Sequence, residues 1–167
     1  MGSDADPRDR PFAAVLEAAV IIREATRADL PAIAALLADD GLGRGRESSD
    51  MSRYEYAFDR MQTQPGNTYL VIEENAELLA CLQYTLIHGL SRAGASRAQI
   101  EGVRVSAAHR GKRLGERIMK AAIDRARADG CTLVQLTTDR SRTEAHRFYE
   151  RLGFTASHHG MKMNIDR

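Results

Sequence analysis

The sequence predicts an α/β (α+β) fold, a mixed and partly parallel central sheet of six to seven strands flanked by about four helices. Three observations lead there. Three β-rich runs follow one another in the middle of the chain, separated only by short polar loops. Beyond them, strand-like and helix-like patterns alternate, and strand, helix, strand in that order is the pattern of a parallel crossover. Each helical run also gathers its apolar residues on one face, as a helix lying on a sheet must. With 167 residues and 43% apolar content, the chain is large enough for one well-buried core. No shift in composition suggests a second domain, so residues 20–167 read as a single domain behind a loose tail over residues 1–19.

The elements follow in order. Val20, Ile21 and Ile22 begin a short strand. Thr26 and Asp29 supply capping oxygens for a helix whose Leu30, Ile33, Leu36 and Leu37 share a face, with Gly41 closing it. The glycines of Gly41 to Gly45 imitate a phosphate loop, but they follow a helix and lack the Lys-Ser/Thr ending, so the segment reads as a loop. Asp50 to Gln64 carries Tyr54, Phe58 and Met61 at helical spacing and stops before Pro65-Gly66. Thr68 to Glu73 and Leu78 to Ile87 form a hairpin turning near Asn75, and Arg97 to Ser106 is the third strand of the series. A helix from about Lys112 to Asp129 turns Leu114, Ile118, Ala122 and Ala126 inward and stops at Gly130. Cys131 to Thr138 has the continuous apolar character of a strand buried on both faces. Ser141 to Leu152 is helical, Gly153-Phe154 breaks it, and Ala156 to Ile165 is expected to return as terminal strands.

Charge and composition narrow the function. With 24 basic and 23 acidic residues, the net charge of +1 gives no whole-molecule field for nucleic acid. No apolar run approaches a membrane span, and Asp4, Asp6 and Asp9 stand where a secretory signal needs positive charge. A cytoplasmic protein is expected. Cys81 and Cys131 lack metal-like spacing and read as reduced thiols, and the five histidines form no ligand set, so no metal is assigned.

The stretch His109 to Glu116, His-Arg-Gly-Lys-Arg-Leu-Gly-Glu, carries the most chemistry. It lies between a strand and a helix, where backbone N–H groups and the helix dipole favour an anion. Gly111 and Gly115 admit close backbone approach, while Arg110, Lys112 and Arg113 add charge-assisted hydrogen bonds.

Together with this turn, the run Ile100 to Gly115 and the run Glu144-Ala-His-Arg-Phe-Tyr-Glu-Arg-Leu-Gly-Phe154 resemble the Gcn5-related N-acetyltransferases. The opening Ile22 to Pro31 is similar to that family's first strand and helix. The resemblance covers nearly everything from Val20 onward. It implies acetyl-CoA as co-substrate and transfer of its acetyl group, usually to an amine. It places the pyrophosphate on Arg110, Gly111, Lys112, Arg113, Leu114, Gly115 and Glu116, the pantetheine arm on the main chain of Val103 and Val105, and further cofactor contacts on Arg142, Ala145 and Phe148. Two positions depart from the family pattern. Arg113 stands where its turn has a first glycine, and Arg142 stands where an asparagine is frequent. If the main chain at Arg113 does not require positive φ, its guanidinium is able to point outward.

The resemblance also implies roles. Tyr149 matches the tyrosine that gives the departing thiolate a proton or hydrogen bond; read from its neighbours alone, it is equally an aromatic core anchor beside Phe148 and Phe154. A substrate amine with a pKa near ~10 must lose a proton before it attacks. Glu101 is the candidate base, on a strand where partial burial is expected; its alternative is a strand-edge carboxylate paired with Arg97 or Arg104. An N–H near Val103 would meet the oxyanion, where the family's fourth and fifth strands splay. Neither cysteine falls on a motif position, so direct transfer in a ternary complex is expected. The acceptor is read as the primary amine of a small molecule. A protein lysine or N-terminal amine, and a degraded acyl-CoA-binding module, are the alternatives. The family's habit of pairing through sheet edges leaves a homodimer open.

Overall fold

The computed structural model describes residues 20–39 and 45–165. β1 (Ile21–Glu24) leads to α1 (Leu30–Ala38) and α2 (Met51–Gln62). β2 (Asn67–Glu74) and β3 (Glu77–Ile87) form a hairpin, the single turn α3 (Ser91–Gly94) follows, and β4 (Arg97–Val105) completes an antiparallel series. α4 (Leu114–Ala128) then crosses over to β5 (Leu133–Leu136), parallel to β4, and α5 (Thr143–Arg151) ends the regular structure. The sheet order is β1-β2-β3-β4-β5.

Among the described residues, five strands and five helices thus replace the expected six to seven strands and about four helices. The expected terminal strands account for the shortfall, because Ala156 to Ile165 pairs with no edge among the described residues. Its alternating Met161, Met163 and Ile165 are 95%, 84% and 83% exposed, so the pattern has neither a ladder nor a core face to hold it as a strand. α3 supplies the extra helix. β5 is also shorter than the apolar run Cys131 to Thr138, and its four residues are half-buried rather than enclosed on both faces. The tail over residues 1–19 and Gly41, the expected close of the first helix, lie outside the described residues, as does most of the glycine loop.

Local chemistry explains the well-formed elements. Asp29 accepts hydrogen bonds from the Thr26 N–H and hydroxyl at 2.7 and 3.0 Å, and both its oxygens take the Arg23 guanidinium at 2.7 and 2.8 Å. This couples the entry of α1 to β1. The Arg23 pairing holds the Asp29 carboxyl at about 2, below the usual carboxylate range. Asp50 caps α2 by accepting from the Ser52 N–H at 3.1 Å. Asn75 and Ala76, both left-handed with φ of 52° and 62°, make the tight β2–β3 turn.

Alternation along the strands divides the core. Leu70, Ile72, Leu82, Tyr84, Ala98 and Ile100 face α4, meeting Leu114, Ile118, Met119, Ala122 and Ala126. Val71, Leu78 and Cys81 face α1 and meet Ile33 and Leu36. The inner stripe read for α4 is buried throughout. Tyr84, fully enclosed, donates its hydroxyl to Asp129 at 2.7 Å and lies under the Arg125 guanidinium, which ties the end of α4 to the sheet.

Candidate active site

β4 and β5 part company half-way along the sheet. β5 pairs with Arg97 to Ile100 alone, leaving Glu101 to Val105 without a strand on that edge. At the same place β4 bulges. Cys81 faces Arg104 and Gln83 faces Glu101, so Gly102 and Val103 together oppose the single residue Leu82. Gly102 has φ +59°, the conformation a bulge of this kind assigns to glycine. The result is a short stretch of main chain at a gap in the sheet, where the Gly102 carbonyl accepts from the Cys81 thiol at 3.9 Å and the Val103 carbonyl from the Arg104 guanidinium at 2.9 Å.

The basic turn closes one end of that gap. A short 3₁₀ turn, Ala107–His109, is fixed by the Ala107 N–H donating to the Asp39 carboxylate at 2.9 Å. Arg110 donates to the Asp39 carbonyl at 3.2 Å, so the turn is anchored to the end of α1. Gly111 is left-handed, and Arg113 is left-handed too, at φ +59°. The condition placed on Arg113 by the sequence therefore fails, yet its side chain still points away from the turn. It forms a two-pronged pair with Glu116, both bonds 2.8 Å long, and is 77% exposed. A left-handed cap aims the first N–H groups of α4 into the turn, and Leu114, Gly115 and Glu116 have no helical acceptor for them. Arg113 and Glu116 thus brace the helix start from outside, while backbone N–H groups and the dipole of a 15-residue helix face the anion position.

α5 forms the far wall. A Cβ on Gly115 would stand 3.4 Å from the Phe148 ring and 3.6 Å from Val105, at van der Waals contact, so α4, α5 and the end of β4 meet closely here. Ala145, Phe148 and Tyr149 are half-buried on α5, and Arg142 caps its start. Tyr149 packs edge-on to Phe148 and Phe154, with ring centroids 5.2 and 5.9 Å away. The packing read for Tyr149 is therefore present. Burial pushes its phenol upward while the Arg142 and Arg104 charges pull it back. It keeps its proton at neutral pH and has one to give.

Glu101 is exposed rather than partly buried, in a row with Gln83 and Tyr69 on the α1 side of the sheet. Val103 and Val105 pack against the α4 side. The sequence reading missed Tyr69. Its hydroxyl would be 3.3 Å from a Cβ on Gly102, so the bulge glycine makes room for it. Glu47, Glu101 and Arg104 all act on this phenol, which burial pushes strongly upward. Glu47 in turn accepts from the Tyr54 hydroxyl at 2.7 Å, giving Tyr54 a polar role beside the packing its helical spacing suggested. The only trace of Tyr69 in the sequence is its place on the alternating face of β2. Cys81 lies beneath the bulge, and burial pushes its thiol up to about 12, which makes it a poor nucleophile.

This gap, with a helix N-terminus at its mouth and a tyrosine on its wall, accords with the comparisons. The model of the acetyltransferase (GNAT) family matches residues 30–154. The chain belongs to that family. It is similar to an aminoalkylphosphonate N-acetyltransferase of Salmonella typhimurium, 26% identical over 82% of this chain and 86% of the relative. A solved structure from Bacillus halodurans C-125, described as a transcriptional regulator, is 44% identical with a TM-score of 0.84 and is matched over 88% of this chain and all of its own. The glucosamine-6-phosphate N-acetyltransferase of Arabidopsis thaliana shares the fold at 22% identity and a TM-score of 0.75, over 89% of this chain and 99% of its own. The GNAT assignment thus covers the turn, β4 and α5 together.

Proposed function

We propose that the protein is an N-acetyltransferase that moves the acetyl group of acetyl-CoA directly to the primary amine of a small molecule in a ternary complex. The observation that carries this reading is the unpaired edge of β4 from Glu101 to Val105, with the N-terminus of α4 at one end and Tyr149 beside it. The residues fit the co-substrate. N–H groups from Gly111 to Glu116 suit its pyrophosphate, Arg110, Lys112 and Arg142 its remaining charge, and the main chain of Val103 and Val105 its amide-bearing arm. Ala145 and Phe148 line the same wall.

Acetyl-CoA supplies an activated thioester carbonyl. Glu101, exposed to the acceptor side, takes the proton that the amine must lose. A main-chain N–H near Val103 stabilises the carbonyl oxygen as it gains charge. Tyr149 gives its proton to the sulfur as the C–S bond breaks. As the amide bond forms, the nitrogen's remaining surplus proton passes through water to replace the one Tyr149 gave up, while the first rests on Glu101 until solvent takes it. Buried Cys81 is no rival nucleophile, which favours direct transfer. The Salmonella relative acts on small amines, which supports that acceptor class over a protein. A degraded binding module is disfavoured, since Tyr149 is kept on the wall of the gap and the Arg113 guanidinium is engaged by Glu116.

A coenzyme A release assay over pooled amino sugars, polyamines, amino acids, aminoalkylphosphonates and peptides tests the reading. Release with at least one small amine and none with peptides is expected. Release with peptides alone would move the acceptor to proteins.

A further inference from the structure

The sheet face below Glu101 is polar where the opposite face is core. The row Asn67, Thr85, Gln99 and Gln135 runs across four strands. Asn67 Oδ1 accepts from Gln83 at 2.9 Å and from Thr85 at 3.3 Å, and Gln135 donates to Gln99 at 2.7 Å. These bonds hold the amides as a fixed floor. Its lower end opens into a cavity of about 280 Å³ lined by Ser91, Arg92, Ser96, Arg97, Thr132 and Gln135 among others. Both charged residues of that lining are arginines, no carboxylate lines it, and neither arginine makes an ion pair among the described residues.

The cavity wall is fixed. His88 bonds Ser96 at 2.8 Å, the Thr132 N–H donates to the Ser96 carbonyl at 3.0 Å, and Arg92 and Ala93 hold two successive left-handed conformations. Arg97 stands on β4, four residues before Glu101 and on the same face. Their Cα atoms are therefore roughly 13 Å apart along the strand. One face thus presents a carboxylate at the reacting end, neutral amides and hydroxyls between, and two guanidinium groups with hydroxyl donors at the far end.

We propose that this cavity binds an anionic group of the acceptor, so that the substrate is an elongated amine carrying a phosphate or carboxylate roughly 10 Å from the reacting nitrogen. The proposal rests on the acetyl-transfer reading, which places the amine at Glu101. Arg97 and Arg92 select the acceptor, and the amide floor carries its polar middle. Anion recognition by two arginines, with the Ser91 and Thr132 hydroxyls adding donors, favours such a molecule over a simple polyamine, whose second cation would meet like charge.

The test compares kcat/KM for aminooctyl phosphate, aminooctanoate, aminoethyl phosphate and aminooctanol in the wild type and in Arg97→Gln and Arg92→Gln. The long anionic amines are expected to exceed aminooctanol and aminoethyl phosphate by about tenfold or more, and each variant should bring the ratio of long anionic amine to aminooctanol close to one. Equal use of anionic and neutral amines, or equal losses for both in the variants, overturns the proposal and leaves acetyl transfer standing. Should no amine release coenzyme A, the activity reading falls, and calorimetric titration of aminooctyl phosphate decides the cavity separately. Binding by the wild type that is lost in Arg97→Gln upholds it; absent or unchanged binding overturns it.

Discussion

Gly102 does two jobs with one missing Cβ. It takes the left-handed position that lets β4 bulge, and it leaves room for the Tyr69 hydroxyl. Gly102→Ala forces a side chain into a φ of +59° and against Tyr69 and Leu37. It should destabilise the fold by about 1–2 kcal/mol, read as a lower denaturant midpoint at unchanged m. Tyr149 is the complementary case, since its ring packs while its hydroxyl is the proposed proton donor. Tyr149→Phe preserves the edge-on contacts with Phe148 and Phe154, so stability and acetyl-CoA affinity should hold while kcat drops by about 100-fold or more. A variant with wild-type turnover would reduce Tyr149 to packing.

At the scale of elements, the site exists because α4 ends one strand pairing and begins another. β4 pairs with β3 from Arg97 to Val105, interrupted only at the bulge, but with β5 over only four residues. The turn between β4 and α4 is held to α1 through Asp39, so phosphate binding and the packing of α1 share a support. Arg110→Ala removes one such bond and a cation beside the anion position, and should weaken acetyl-CoA binding by about tenfold in a calorimetric titration. The other end of α1 carries a pH signature. Arg23 and the Thr26 donors lower the folded-state pKa of Asp29 to about 2, from a usual value of 3.8. Its contribution is present above the unfolded value and is lost as pH falls through about 2. That amounts to on the order of 2 kcal/mol. Asp29→Asn should flatten the fall in unfolding free energy between about pH 5 and pH 2 by this amount, measured by denaturant titration.

Over the whole molecule, local patterns made most elements legible. Helical stripes, the Asn75 turn and Gly130 after the long helix act over a few residues, and the structure keeps them, while Gly41 lies outside the described residues. Most of what escaped depends on partners distant in sequence, and Arg113 on a local backbone conformation that residue patterns do not show. The terminal segment alternates like a strand, but pairing is decided by an available edge, and Met161, Met163 and Ile165 find none among the described residues. The left-handed Arg113 was unreadable because the sequence shows no Glu116 pairing, only two charges three apart. Tyr69 was hidden for a similar reason, since its role depends on register across β2, β3 and β4. The basic turn and Tyr149 were readable because both lie on contiguous motifs.

The central claim is that this gap in the sheet, despite Arg113 and Arg142, holds acetyl-CoA. A calorimetric titration of the purified chain with acetyl-CoA, beside desulfo-coenzyme A, tests it most directly. The account predicts saturable one-to-one binding in the micromolar range for both, with phosphate anchoring common to the two. Absence of binding to either would contradict it, and would mean that the GNAT fold persists here without its cofactor site.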